Sequence, residues 1–189
     1  MNDRRVPNVF RLPKRHQPAS KTVASAADGA RLHAAQSPWF ALAAGLAVVA
    51  VFSVFWAAAS VLIGRIFPWA TLLLGVLVGL AVRRAGQGFD WRFPALAAVL
   101  AGTGAVAANV IVAAAFTAGE FGTSTLTVLG AVTSMTWPVY FSEAFSSADA
   151  AYALIASGVA AYYAHRPLSR AEFLALRKLE QEGDDTGKD

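Results

Sequence analysis

Three histidines, twelve acidic side chains and a glycine-rich run around a pair of arginines are the groups in this 189-residue chain that could do chemistry. There is no cysteine, so thiolate chemistry and disulfides are excluded. His16, His33 and His165 do not have metal-ligand spacing with one another. No G-x-S-x-G or H-E-x-x-H is present to set up a nucleophile or a metal-bound water. Residues 74–88, "LGVLVGLAVRRAGQG", have the glycine content of a phosphate loop. Such a loop follows a strand and ends in Lys-Ser or Lys-Thr before a helix. Here an apolar run precedes the glycines and "FDWRFP" follows them. These residue types point to no catalytic set, no cofactor and no metal, and the expectation is that the protein is not an enzyme.

The elements that would position any site are apolar. The chain is 56% hydrophobic and 15% charged, with a mean hydropathy of +0.48, against about 25% charged residues in a soluble domain. Residues 39–63, 66–82, 93–118 and 150–164 each lack a charged side chain. A hydrocarbon core of ~30 Å takes about 20 apolar residues per helix. The expected fold is therefore an all-α integral membrane protein, a four-helix transmembrane bundle over residues 38–165. Its spans fall at about 39–63, 66–83, 93–118 and 149–165, with an outer link at 119–148. Trp39, Trp69, Trp91, Tyr152, Tyr162 and Tyr163 fall where the interfaces should be. Pro38, Pro68 and Pro94 suit helix starts.

Basic residues set the orientation. The N-terminal tail carries Arg4, Arg5, Arg11, Lys14, Arg15, Lys21 and Arg31; the second link carries Arg83, Arg84 and Arg92; Arg166, Arg170, Arg177 and Lys178 follow the last span. The outer link has no Lys or Arg, and the first link has only Arg65. Positive residues stay cytoplasmic, so both termini are expected inside. Residues 126–141, "LTVLGAVTSMTWPVYF", tempt a fifth span. That span would put the basic C-terminus outside, so an amphipathic or re-entrant segment is the better expectation. Its aromatic cluster, Trp137, Tyr140 and Phe141, is a candidate contact for a partner or for the lipid interface.

Within the spans the informative residues are small or weakly polar. Gly75 and Gly79 lie four apart on one face and admit a close helix neighbour. Gly86 and Gly88 suit the turn that follows. Ala97, Ala101 and Ala105, with Ala98 and Gly102 beside them, and Ala153, Ser157 and Ala161 make similar stripes. Asn109, the most polar residue of the third span, is expected to bond across to another helix. Asp149 suits the first turn of the fourth. The expected helix-packing residues are thus Gly75, Gly79, Gly102, Asn109 and Ser157.

The tails differ in kind. Residues 1–37 are basic and lack apolar periodicity, and are expected to be a disordered cytoplasmic tail that touches anionic lipid headgroups. No signal peptide is read there. Nucleic acid is not an expected partner, because no recognition helix or aromatic platform accompanies the charge. In the tail 166–189, Ser169 and Glu172 have capping-box spacing, Leu168 and Phe173 have staple spacing, and Phe173, Leu176 and Leu179 follow on one face. A short amphipathic cytoplasmic helix over 169–181 is expected, lying on the membrane or on a partner.

Residues 60–166 resemble a group of small bacterial four-helix inner-membrane proteins of uncharacterised function. The resemblance rests on Gly75, Gly79, Ala81, Val82, Arg83, Gly86 and Gly88 leaving the second span, and on Asp149, Tyr152, Ala156 and Tyr163 in the last. Relatives in that group often carry an N-terminal Cys-rich zinc ribbon, which this chain lacks. The resemblance implies a multi-pass protein of the bacterial inner (plasma) membrane and no activity. The function expected is that of a structural or accessory subunit associating with a membrane protein partner. The alternative is a small transporter or channel subunit working as a homo-oligomer.

Overall fold

The computed structural model describes residues 25–132 and 136–186. Among them every regular element is a helix: α1 (Ala26–Ala35), α2 (Pro38–Ile63), α3 (Ala70–Gly86), α4 (Arg92–Phe121), α5 (Thr125–Ala131), α6 (Trp137–Ala144), α7 (Ser147–Ala164) and α8 (Arg170–Thr186). Two helices are long and apolar enough to cross a membrane: the run Ala26–Ile63, whose apolar part is α2, and α4. Helices α6 and α7, bent by 76° where they join, together make a third.

Local chemistry accounts for the helix ends. Ser37 caps α2 through the N–H of Phe40, Pro38 occupies its first turn, and Gly64 ends it at φ +70°. At α7, Ser146 and Asp149 form a reciprocal capping box, the Ser146 N–H donating to the carboxylate at 2.9 Å. Asp149 is therefore held by the helix start it serves. Helix α3 begins at Ala70, later than the expected 66, because residues 67–69 form a turn behind Pro68 and the Thr71 hydroxyl donates to the Pro68 carbonyl. It runs through Arg83 and Arg84 to Gly86. Helix α4 runs on to Phe121, so its 30 residues extend about 45 Å.

Helices α2, α3, α4 and α7 pack together in a rhombus. α3 and α4 touch along the short diagonal, α2 and α7 each pack against both, and α2 and α7 do not meet. The core is built of small residues: Ala97, Ala101, Ala105 and Ala108 of α4 and Ala156, Ala160 and Ala164 of α7 are fully buried, around Leu74, Val78 and Val82 of α3. Such surfaces bring backbones close, and packing contacts then hold the helices together. Outward, α2 exposes Val51, Val54, Phe55 and Leu62. A helix that is apolar on both faces needs an apolar surrounding on its outer one.

The two ends of the described chain form a second layer. Residues 26–35, expected to be part of a disordered tail, are helical. Ser25 and Asp28 form a capping box at the start of α1, and α1 packs along α8. A Cβ on Gly29 would lie 2.7 Å from the Ala175 carbonyl oxygen, so only a glycine fits there. The remainder of the basic tail, with its expected lipid contacts, lies outside the described residues. Helix α8 extends to Thr186, beyond the expected 181. Ser169 caps it reciprocally with Glu172. Its buried residue is Ala175; Leu176 and Leu179 of the expected stripe are half-buried beside it, Leu179 against Gly29 of α1, whereas Phe173 remains exposed. Arg166 ties this layer to the bundle, pairing with Glu172 at 2.7 Å and donating to the Gln87 carbonyl.

Candidate functional site

Helix packing places the small residues at backbone contacts. A Cβ on Gly75 would lie 2.5 Å from the Ala156 carbonyl oxygen, and one on Gly79 would lie 2.6 Å from that of Ala160. Both glycines therefore face α7. Gly102 faces α7 from the other side, where a Cβ would meet the Ser157 hydroxyl oxygen at 2.6 Å. That hydroxyl donates to Ala153 in its own helix. The buried stripe of α7 is Ala153, Ala156, Ala160 and Ala164, with Ser157 and Ala161 at its margin.

Two sequence expectations are corrected here. The Asn109 side chain is buried but bonds within its own helix, its amide N–H donating to the Ala105 carbonyl at 3.1 Å. An amide one turn along a helix reaches that carbonyl without crossing to a neighbour. Secondly, the turn after α3 does not use its glycines for left-handed backbone. Gln87 takes that role, at φ 47°, while Gly86 and Gly88 make room for the buried ring of Phe93, which a Cβ on either would strike.

The aromatic cluster of the link lies on α6. Trp137, Phe141 and Phe145 succeed one another along it, with ring centroids 5.7 and 5.2 Å apart. Tyr140 points the other way, and its hydroxyl donates to the Val110 carbonyl of α4 at 3.2 Å. Val110 lies 11 residues before the end of α4, about 16 Å along its axis. Helix α6 therefore leans back along α4. Between them an open groove of about 750 Å³ remains, within the ~300–1,000 Å³ common for ligand sites. Ala113, Phe116 and Thr117 of α4 form one wall, Val139, Tyr140, Glu143 and Ala144 of α6 the other, and Ile66 of the α2–α3 turn closes an end.

This groove escaped sequence reasoning. Tyr140 and Glu143 sit three apart in a short helix, a spacing that puts both on one face, but the wall they meet is some 30 residues away in the chain. A second polar feature is internal. The Trp56 indole N–H and the Ser60 hydroxyl, four apart on α2, are buried without a hydrogen-bond partner. Among the described residues no group of three or more His, Cys, Asp or Glu side chains is arranged to hold a metal ion. Comparison with family models, curated proteins and solved structures found no match.

Proposed function

We propose that the chain is a four-span membrane protein, α2, α3, α4 and α7 crossing the bilayer with both termini cytoplasmic, and that it acts by association with a membrane partner. The resemblance of residues 60–166 to small bacterial inner-membrane proteins supports the bacterial inner membrane as its location. The charge asymmetry supports the orientation. One observation carries the association reading. Helix α2 sits at a corner of the rhombus with its outer face unpartnered, and an apolar groove of about 380 Å³ runs there between Val48, Val51, Phe52, Phe55 and Leu77. A partner's apolar helix fits such a surface, because van der Waals packing drives helix association in lipid.

The α3–α4 contact along the short diagonal occupies the middle of the bundle, which favours association over conduction through a single copy. Cysteines at Val51 and Phe55, cross-linked in native membranes, test the reading. An adduct with a second protein of different mass supports it, and an adduct with a second copy supports the homo-oligomer. No adduct from either position overturns the α2 interface. Saturable solute or proton flux in proteoliposomes that Asn109→Ala abolishes would make the transporter reading the leading one.

A further inference from the structure

The groove between α4 and α6 combines three properties. Its floor is apolar, along Ala113 and Phe116. It lies well back from the end of α4, since Tyr140 anchors its wall at Val110. Its lining includes one acid, and an arginine adjoins one of its lining residues in the chain. Glu143 is on the α6 side, exposed. Arg65 precedes Ile66 in the turn that closes the groove and is also exposed. Among the described residues neither of these two enters an ion pair. No other cation is available on the link, which has no Lys or Arg from 119 to 148.

We infer that this groove binds a single phospholipid with a zwitterionic, primary-amine headgroup. One acyl chain lies along Ala113 and Phe116, the phosphate meets Arg65, and the ammonium meets Glu143. Charge complementarity selects this occupant. An anionic headgroup would satisfy Arg65 but meet Glu143 as a like charge, and a purely apolar chain would leave both unused. An ammonium donates to a carboxylate, and a guanidinium donates to phosphate in a two-pronged geometry. The inference rests on the membrane reading above, under which the α2–α3 turn and α6 share the outer surface.

The test uses the full chain in mild detergent, titrated with phosphatidylethanolamine or phosphatidylglycerol of matched acyl chains and examined by native mass spectrometry. One phosphatidylethanolamine should be retained about tenfold more tightly than phosphatidylglycerol. Glu143→Gln should erase the preference, and Arg65→Gln should weaken both lipids. Glu120→Gln, an exposed acid at the end of α4, should leave the preference as in wild type. Val139→Trp, which fills the groove from an exposed position, should reduce retention of either lipid. Equal retention of the two lipids by wild type, or an unchanged preference in Glu143→Gln, overturns the inference. So does a disulfide-linked dimer formed through Val139→Cys in native membranes, which would put a second copy in the groove. Failure of the lipid test with the transmembrane topology intact leaves the membrane reading standing, whereas a chain that does not fractionate with membranes removes both.

Discussion

Gly75 of α3 faces the backbone of Ala156 in α7 so closely that a Cβ would sit 2.5 Å from the carbonyl oxygen. Gly79, one turn on, stands in the same relation to Ala160 and also abuts the Cβ of Tyr163. The helix neighbours here are backbone atoms, which cannot swing aside. Gly79→Leu should therefore force α3 and α7 apart and lower stability in detergent by a few kcal/mol, as overpacking does in a tight core. Gly158→Leu is the control, since nothing lies within 4 Å of a Cβ there. Equal melting of the two variants would refute the contact.

The four-span topology predicts which side each segment faces. Single cysteines at positions 25, 124 and 186 should be probed in intact cells with a thiol reagent that cannot cross the membrane. Only the cysteine at 124 should react. Strong labelling at 186 would instead revive a fifth span over residues 126–141 and put the C-terminus outside.

The left-handed conformation of Gln87 has a sign that can be measured. A side chain in that region costs roughly 1 kcal/mol that glycine does not. The link from Arg166 is accepted by the Gln87 backbone carbonyl, so Gln87→Gly leaves it in place. The variant should melt higher than wild type. A lower melting point would show that the glutamine side chain has a role of its own.

Ser60→Ala should also stabilise. The Ser60 hydroxyl is fully buried with no partner, and a buried unsatisfied polar group costs about 1–3 kcal/mol. Removal of the hydroxyl should raise the denaturation midpoint. A drop would identify a partner that forms in the folded protein.

The paired ends should loosen in acid. The backbone N–H and hydroxyl of Ser169, with Arg166, hold the Glu172 carboxyl below its ordinary 4.5. Ser25 holds Asp28 below its ordinary 3.8 in the same way. A depressed carboxylate contributes stability above its unfolded pKa and loses it as pH falls through the lower folded value. Amides at the starts of α1 and α8 should therefore exchange faster at pH 3 than at pH 6, relative to their intrinsic rates. Ser169→Ala should flatten this dependence at α8 alone. A response confined to α2–α4 would contradict the assignment.

Much of this architecture is legible in the sequence, for an identifiable reason. Each long uncharged run lies on a helix, because twenty apolar residues have few other ways to satisfy their backbone groups. The capping residues Ser169 and Asp149 are legible too, since they act within three residues of themselves. Two of the misses, helix α1 and the groove, have the opposite property, and the third, Asn109, is a local choice among partners. Helix α1 was obscured by the basic composition around it, although Ser25 and Asp28 have capping spacing, and its stability comes from α8 at the far end of the chain. Asn109 satisfies itself one turn back, a choice that residue type does not reveal. The groove depends on Tyr140 reaching Val110, which no local pattern encodes.

The pairing of Gly29 with Ala175 imposes a schedule on the newly made chain. Helix α1 leaves the ribosome early, and its companion follows about 146 residues later, a delay of ~7–30 s at ordinary rates of synthesis. Until then the Gly29 face has nothing to cover it. Closure of that contact waits on every segment between the two helices. A nascent chain halted anywhere before α8 consequently differs from a finished one at α1.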